Sequence, residues 1–132
     1  MTTGVHTIRV RYAESDQMGV AHHASYVVWL EAARIEFLRT VGHSYRDLEA
    51  AGVAMPVVDL AVRYKRVMRF DDEMTLTTTA TVIGPTRLVF RTVITHGEHL
   101  CAEADVTVAA VSLAGRPVRL PAELVKLLTD GL

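Results

Sequence analysis

The sequence predicts an α+β fold in which an antiparallel sheet packs against one long apolar helix. Three observations support this prediction. Apolar residues recur at spacings of three and four through residues 22–42, a period typical of an amphipathic or enclosed helix. Four segments with an apolar period of two follow this helix, as expected of strands. The connections between these segments carry turn residues and are short, which favours antiparallel neighbours.

The first part of the chain predicts one strand and two helices. Residues 6–12 alternate between two faces, which indicates a half-buried strand, and a loop follows at residues 14–21. The long helix over residues 22–42 would span about 30 Å and end at its glycine. Its apolar stripe consists of Tyr26, Leu30, Ala33, Phe37 and Val41. Residues 44–50 predict a short second helix with Ser44 as its N-cap.

The second part of the chain predicts four consecutive strands, at residues 57–65, 74–83, 88–95 and 101–113. The last strand has one face of small apolar residues, which would let the helix lie close to the sheet. These residues are Ala102, Ala104, Val106, Val108 and Ala110. Residues 121–128 predict a terminal helix. Because the sequence contains no repeat, low-complexity tract or linker, we expect residues 1–132 to form a single domain.

The composition excludes several classes of protein. Half of the 132 residues are hydrophobic and the formal net charge is −1, which argues against disorder and against a nucleic-acid binder. No apolar run approaches the length of a membrane span, and residues 1–11 lack the apolar stretch of a signal peptide. The single cysteine, Cys101, is compatible with a reducing compartment. We therefore expect a cytoplasmic protein whose partners are small molecules or proteins.

The most reactive groups cluster where the first strand gives way to the long helix, in the stretch ESDQMGVAHHASY. The N-terminus of a helix offers unpaired N–H donors and partial positive charge, which suit the oxygen of a polarised carbonyl. Asp16 lies seven positions before His23, close enough for the loop to place its carboxylate beside those donors. Such a carboxylate can attack an acyl carbon or deprotonate water. Alternatively, Asp16 closes an Asx-turn or caps the helix.

The other polar residues near the junction also have structural interpretations. His22 and His23 are adjacent and lack the spacing of metal ligands on a helix, so we predict no metal site. Tyr26 continues the apolar stripe and is interpreted as a core residue before a catalytic one. Glu31 can pair with Arg34 three positions later.

The stretch YAESDQMGVAHHASYVVWLEAARIEF, residues 12–37, resembles the 4-hydroxybenzoyl-CoA thioesterase-like family of hotdog-fold acyl-CoA thioesterases. The family signature has the form D-x-x-G, then an aromatic or His/Asn pair, then Tyr, then a helix bearing E-x-x-R. The residues in register are Asp16, Gly19, His23, Tyr26, Glu31 and Arg34. The resemblance implies a hotdog fold, in which an antiparallel sheet wraps around a long central helix.

The resemblance also implies roles for individual residues. Asp16 would be the catalytic carboxylate, acting as nucleophile or general base, and the backbone N–H of His23 would hold the thioester oxygen. Gly19, His22, Tyr26 and, more weakly, Glu31 would contribute to substrate binding. His22 occupies a position often filled by an aromatic residue or Asn, which affects the expected shape of the acyl pocket. The family implies no metal or redox cofactor and an active site at a subunit interface.

A basic segment at the end of the strand predicted at residues 57–65 offers phosphate ligands. Arg63, Lys65, Arg66 and Arg69 could bind the phosphates of coenzyme A, or they could be an ordinary solvated strand edge.

The resulting hypothesis is an enzyme that hydrolyses an acyl-CoA to a free acid and coenzyme A. A substrate on acyl carrier protein is a second possibility, and a non-catalytic domain that binds acyl thioesters is a third. Because a sheet of this size covers only one side of so apolar a helix, we expect a homodimer or homotetramer.

Overall fold

The computed structural model describes residues 2–129, and residues 1 and 130–132 of the predicted domain lie outside the described part. The strands are β1 (Gly4–Arg9), β2 (Val53–Ala54), β3 (Val57–Tyr64), β4 (Glu73–Val82), β5 (Arg87–His96), β6 (His99–Ala109) and β7 (Val111–Ser112). The helices are α1 (Ser25–Thr40), α2 (Tyr45–Ala50) and α3 (Ala122–Thr129). The order of the main elements is the predicted one.

The main sheet has five antiparallel strands in the order β1-β4-β5-β6-β3. The short strands β2 and β7 form a separate two-stranded sheet, and β2 was not predicted. The last predicted strand is interrupted at Ala110, whose N–H donates to the Thr86 carbonyl at 2.7 Å. Beyond Ala110 the chain leaves the main sheet, and residues 111–112 pair with β2.

The first predicted strand ends earlier than expected. β1 stops at Arg9, and Tyr12 lies in a 3-10 turn, Tyr12–Glu14, where its side chain is exposed. The inclusion of Tyr12 in the strand was therefore wrong. Sequence alternation continued past the last residue that pairs with β4, and only the partner strand determines where the ladder ends.

The central helix begins at Ser25, three residues later than predicted, because residues 22–24 form the turn that leads into it. It ends at Thr40, and Gly42 follows with φ +85°, as expected of a helix C-terminus. Tyr26, Leu30, Ala33 and Phe37 of the predicted stripe are buried. The helix is thus anchored to the sheet along the face that the sequence indicated.

The core lies between α1 and the inner face of the sheet. The small residues of β6 are buried there, as predicted, so that the backbone of the sheet approaches the helix closely. α1 lies over β1, β4 and β5, whereas the inner face of β3 is only partly covered. Leu60 and Tyr64, which pair with the buried Val106 and Ala102, remain 40% and 50% exposed.

The predicted N-cap of the second helix is confirmed, since the Ser44 hydroxyl accepts a hydrogen bond from the Asp47 N–H at 3.1 Å.

Across residues 2–129, none of the helices has both the length and the apolar character that a membrane crossing requires.

Candidate active site

Asp16 lies at the start of a tight loop between the 3-10 turn and α1. Its N–H donates to the Val20 carbonyl at 2.8 Å, and its own carbonyl accepts from the Gly19 N–H at 3.0 Å. Gly19 has φ +76°, a left-handed conformation that glycine adopts without steric cost. The glycine in the D-x-x-G signature is therefore required by the geometry of this turn.

The two oxygens of the Asp16 carboxylate are in different situations. Oδ1 accepts hydrogen bonds from the N–H groups of Met18, at 2.8 Å, and Val20, at 3.4 Å. This is the Asx-turn that the sequence offered as an alternative to catalysis. Oδ2 has no hydrogen-bond partner within residues 2–129, and the side chain is exposed. One oxygen thus orients the carboxylate and the other is available to a ligand.

Asp16 opens onto a cleft of about 410 Å³. The other residues that line the cleft are Tyr12, Ser15, Gln17, Gly19 and Phe70. The rings of Tyr12 and Phe70 pack against each other with centroids 5.5 Å apart. An exposed carboxylate therefore stands beside an aromatic wall, and that wall offers apolar surface to a ligand.

The backbone N–H groups on either side of His23 are engaged in hydrogen bonds. The His22 N–H donates to the Glu14 carbonyl at 2.8 Å, the Ala24 N–H to His22 Nδ1 at 3.1 Å, and the Ser25 N–H to the His22 carbonyl at 2.9 Å. The His23 N–H has no partner in the described part of the chain. It lies two residues before the first residue of α1, where the helix contributes partial positive charge.

His23 lines a second cleft, of about 290 Å³, together with Ala21, Tyr26, Tyr64, Lys65, Arg66 and Val67. The Tyr64 hydroxyl donates to the His23 carbonyl at 3.0 Å, so β3 also holds the start of the helix. Asp16 and His23 line separate clefts of the single chain. The rings of His22 and His23 stack with centroids 4.3 Å apart.

Tyr26 is mainly a core residue, as the sequence suggested, although its edge reaches the second cleft. Its ring packs against Trp29 and Tyr64, with centroids 4.8 Å apart in each case. Burial, with smaller contributions from Cys101 and Tyr64, raises the pKa of Tyr26 to about 12. The hydroxyl therefore stays protonated at neutral pH and can act only as a neutral hydrogen-bonding group.

The basic residues of the predicted phosphate site do not all line the same cleft. Lys65 and Arg66 line the second cleft, and Arg66 Nη1 is 3.1 Å from His99 Nδ1. Arg63 instead forms ion pairs with Glu103, at 3.7 Å, and Asp105, at 3.3 Å. Its guanidinium is thus neutralised by carboxylates of the neighbouring strand.

The predicted pair between Glu31 and Arg34 is not formed: no ion pair or hydrogen bond joins them in the part of the chain that the structure describes. Burial lowers the pKa of Arg34, opposed by the charges of Glu31 and Tyr45, and its buried Nε has no hydrogen-bond partner there. Glu31 is exposed and lines neither cleft described above. The spacing of three residues predicted that Glu31 and Arg34 lie on one side of α1. It could not predict that Arg34 Nε is buried.

The sequence did not identify Glu14 as a site residue. Glu14 is 8% exposed, and its carboxylate accepts hydrogen bonds from the Arg11 N–H at 2.8 Å, from Arg11 Nη2 at 3.0 Å and from the Trp29 indole N–H at 2.8 Å. Burial alone would raise the pKa of Glu14, but these hydrogen bonds and the charge of Arg11 hold it below its ordinary value. No local pattern could have linked Glu14 to Trp29, because fifteen residues separate them.

Comparison with known proteins identifies the family. The profile of the thioesterase-like superfamily matches residues 10–128, which include both clefts. The chain belongs to the thioesterase-like superfamily. The resemblance stated from residues 12–37 is thereby confirmed, and so is the prediction of a thioesterase.

Relatives within the thioesterase-like superfamily align over different lengths. The chain is 39% identical over 120 residues to the acyl-CoA thioester hydrolase YbgC of Escherichia coli, covering 89% of this chain and 90% of that protein. It is 45% identical over 65 residues to the putative acyl-CoA thioesterase YneP of Bacillus subtilis. That second alignment covers 49% of this chain and only 47%, about half, of YneP.

Solved structures of the superfamily confirm the hotdog fold. A hypothetical protein from Thermus thermophilus superposes with a TM-score of 0.90 and 36% identity, over 98% of this chain and 97% of that one. A 4-hydroxybenzoyl-CoA thioesterase superposes with a TM-score of 0.86 over 96% of this chain and 99% of that one. Its 20% identity supports the fold alone.

Proposed function

We propose that this chain hydrolyses acyl-CoA thioesters to a free acid and coenzyme A. The proposal depends on two groups that have no hydrogen-bond partner in the part of the chain that the structure describes: a carboxylate oxygen of Asp16 and the N–H of His23. These residues lie seven positions apart in one short loop. Membership of the thioesterase-like superfamily and the activity in the name of YbgC support the choice of substrate.

In this proposal the carbonyl oxygen of the thioester accepts a hydrogen bond from the His23 N–H. The partial positive charge at the start of α1 stabilises the negative charge that develops on that oxygen. The carbonyl carbon then faces Asp16 Oδ2, while Oδ1 stays in its turn. The proposal requires the substrate to reach both clefts, because Asp16 and His23 line different ones.

Asp16 can act by two routes. As a nucleophile it forms a mixed anhydride with the acyl group, the thiolate of coenzyme A leaves and is protonated, and water then hydrolyses the anhydride. As a general base it removes a proton from water, and the resulting hydroxide attacks the same carbon. Both routes need an oriented carboxylate, and the Asx-turn supplies the orientation.

The rest of the proposed substrate site lies around these two groups. We propose that Gly19, His22 and Tyr26 border the acyl thioester, and that Lys65 and Arg66 bind the phosphates of coenzyme A from the rim of the second cleft. Arg63 is omitted from the phosphate site because its charge is matched by Glu103 and Asp105. Glu31 is likewise not assigned a contact with substrate.

We further propose that the active unit is a homodimer formed along β3. This strand is at the end of the sheet, so its outer backbone groups face no neighbouring strand in the described part of the chain. Apolar side chains of β3 that point toward the helix side stay exposed, among them Leu60. An unprotected apolar edge of this kind is a surface for association. We also propose a cytoplasmic location, with which the single cysteine of the sequence, Cys101, is compatible.

Thiol release from a panel of short, long and aromatic acyl-CoAs, with wild type and Asp16→Asn assayed side by side, tests the proposal. We expect wild type to release thiol and Asp16→Asn to lose turnover by about a thousandfold, because an amide neither attacks nor accepts a proton. Circular dichroism and sedimentation should show the same fold and oligomer for both proteins.

The other outcomes separate the alternatives. Full activity in Asp16→Asn would remove Asp16 from the mechanism. If wild type is inactive on the whole panel, the same assay with acyl groups on acyl carrier protein distinguishes a carrier-protein thioesterase from a domain that only binds acyl thioesters. The basic pair Lys65 and Arg66 would suit an acidic carrier protein as well as phosphates.

A further inference from the structure

Glu14 connects the start of α1 to the loop that carries Asp16. Its carboxylate accepts the indole N–H of Trp29, a residue of α1 that is 1% exposed. Its backbone carbonyl accepts both the His22 N–H, at 2.8 Å, and the Ser25 hydroxyl, at 3.0 Å. These last two residues flank His23 in the sequence. One residue therefore holds the helix start at three points.

The same residue also holds the near end of the Asp16 loop. Arg11 donates to the Glu14 carboxylate through its N–H and its guanidinium, and the Glu14 N–H donates to the Arg11 carbonyl at 2.9 Å. Asp16 follows two residues later. The far end of the loop is held separately, because the Ala21 N–H donates to the Met68 carbonyl at 2.7 Å.

A buried carboxylate destabilises the folded state unless both of its oxygens accept hydrogen bonds. Removing a carboxylate from water costs several kcal/mol, which hydrogen bonds and a nearby cation must offset. Here Oε1 accepts one donor and Oε2 accepts two. An apolar residue could fill the same space, but it could not fix Trp29 and Arg11 in relation to each other. The arrangement thus specifies geometry more than it adds stability.

We propose that Glu14 is a positioning residue, which sets the distance between the Asp16 carboxylate and the His23 N–H. This inference rests on the proposed function, because it assigns those two groups to one reaction. A displacement of about 1 Å between reacting groups can lower a rate by about a hundredfold. Glu14 lines neither the cleft that contains Asp16 nor the cleft that contains His23. It would therefore act through the loop and the helix that it holds.

The test compares Glu14→Gln and Ser25→Ala with wild type, Asp16→Asn and the control Ser44→Ala. In Glu14→Gln one oxygen that faces donors becomes an NH₂ group, so at least one hydrogen bond is lost. Ser25→Ala removes the hydroxyl that binds the Glu14 carbonyl. Ser44→Ala removes the N-cap of α2, which lowers the stability of the fold at a place away from both clefts.

Three quantities are measured for each variant: kcat and KM on an acyl-CoA that wild type hydrolyses, the thermal midpoint, and tryptophan fluorescence. Trp29 is the single tryptophan of the chain, so its emission reports on the hydrogen bond from its indole. For Glu14→Gln we expect kcat to fall about ten- to a hundredfold, KM to stay within about threefold, and the emission to shift. Ser25→Ala should lower kcat less, with little change in emission.

The control separates positioning from stability. Ser44→Ala should lower the thermal midpoint and leave kcat and the emission as in wild type. If Glu14→Gln keeps the kcat of wild type, or loses activity only to the extent that its folded fraction falls, the positioning role is overturned. If Asp16→Asn is inactive while Glu14→Gln is fully active, the proposed function stands and only this inference fails. If wild type hydrolyses no acyl thioester, both fail.

Discussion

Two carboxylates, two residues apart, are treated in opposite ways by this fold. Glu14 is buried, and both of its oxygens accept hydrogen bonds. Asp16 is exposed, and only one of its oxygens is engaged within residues 2–129. The two side chains carry the same carboxyl group, so the difference between their proposed roles comes from their environment. A fully bonded carboxylate can hold structure, whereas a free oxygen can react.

The lowered pKa of Glu14 predicts how stability depends on pH. Because the folded pKa lies below the ordinary value of 4.5, the ionised group stabilises the fold above about pH 4.5 and loses this contribution as pH falls through the folded value. The free energy of unfolding of wild type should therefore exceed that of Glu14→Gln at pH 7, and the gap should narrow below about pH 4.5.

Urea denaturation of both proteins between about pH 7 and pH 3 measures this gap. Glu98→Gln, which removes an exposed carboxylate at the hairpin tip, controls for the change in net charge. A gap that widens toward low pH would contradict the prediction.

The proposed phosphate contacts of the basic residues on the rim of the second cleft predict an effect on KM. Lys65→Ala and Arg66→Ala should each raise KM for acyl-CoA about fivefold, equivalent to about 1 kcal/mol of phosphate interaction, and leave kcat within about twofold. Added salt should also raise the KM of wild type, because it screens the attraction between these residues and the phosphates. Arg46→Ala, at an exposed position of α2, serves as the matched control. A fall in kcat at constant KM would argue against a phosphate site.

At the scale of elements, the sheet and α1 form a core that includes one buried polar pair. Thr78 of β4 and Thr92 of β5 lie directly opposite each other, each 1% exposed, with their hydroxyl oxygens 3.0 Å apart. All other side chains of β4 that point inward are apolar. The two hydroxyls satisfy each other within this apolar layer.

We expect the two threonines to be coupled energetically. Thr78→Val should destabilise the fold by about 1–3 kcal/mol, because it leaves the Thr92 hydroxyl buried without a partner. The double variant, with valine at both positions, should recover most of that loss, because no unpaired hydroxyl remains. Urea denaturation of the two single variants and the double variant measures the coupling. Additive losses would show that the hydroxyls do not depend on each other.

At the scale of the whole molecule, the fold leaves one end of its sheet open. α1 covers β1, β4 and β5, whereas β3 ends the sheet with Leu60 and Tyr64 partly exposed on the helix side. Val27 and Val28 of α1 are exposed as well, at 45% and 52%. The sequence predicted that this helix is largely enclosed. Its own chain, however, covers only one side of it.

The proposed homodimer predicts the effect of a charge on this edge. Leu60→Lys should dissociate the oligomer, because a second copy would have to bury an unpaired ammonium group. Leu113→Lys, at an exposed position in a turn, should leave the oligomer intact. Sedimentation velocity of both variants and wild type decides between the outcomes. A monomeric wild type, or a Leu60→Lys variant that remains fully associated, would contradict the proposal.

The sequence by itself determined the fold class, the order of the main elements and the position of the loop that carries the candidate site. These follow from local physics: the spacing of Tyr26, Leu30, Ala33 and Phe37 specifies a helix face, and a residue with positive φ in a four-residue turn favours Gly19. The family resemblance was carried by the same stretch of chain.

Only the tertiary structure decided which polar groups are bonded and which are free. The burial of Glu14 against Trp29 and the ion pairs of Arg63 with Glu103 and Asp105 join residues from distant positions in the sequence. The His23 N–H, which has no partner within residues 2–129, reflects more local contacts, because the neighbouring N–H groups bind Glu14 and His22. Periodicity specifies the face on which a side chain lies, but its partners are chosen by packing between elements far apart in sequence.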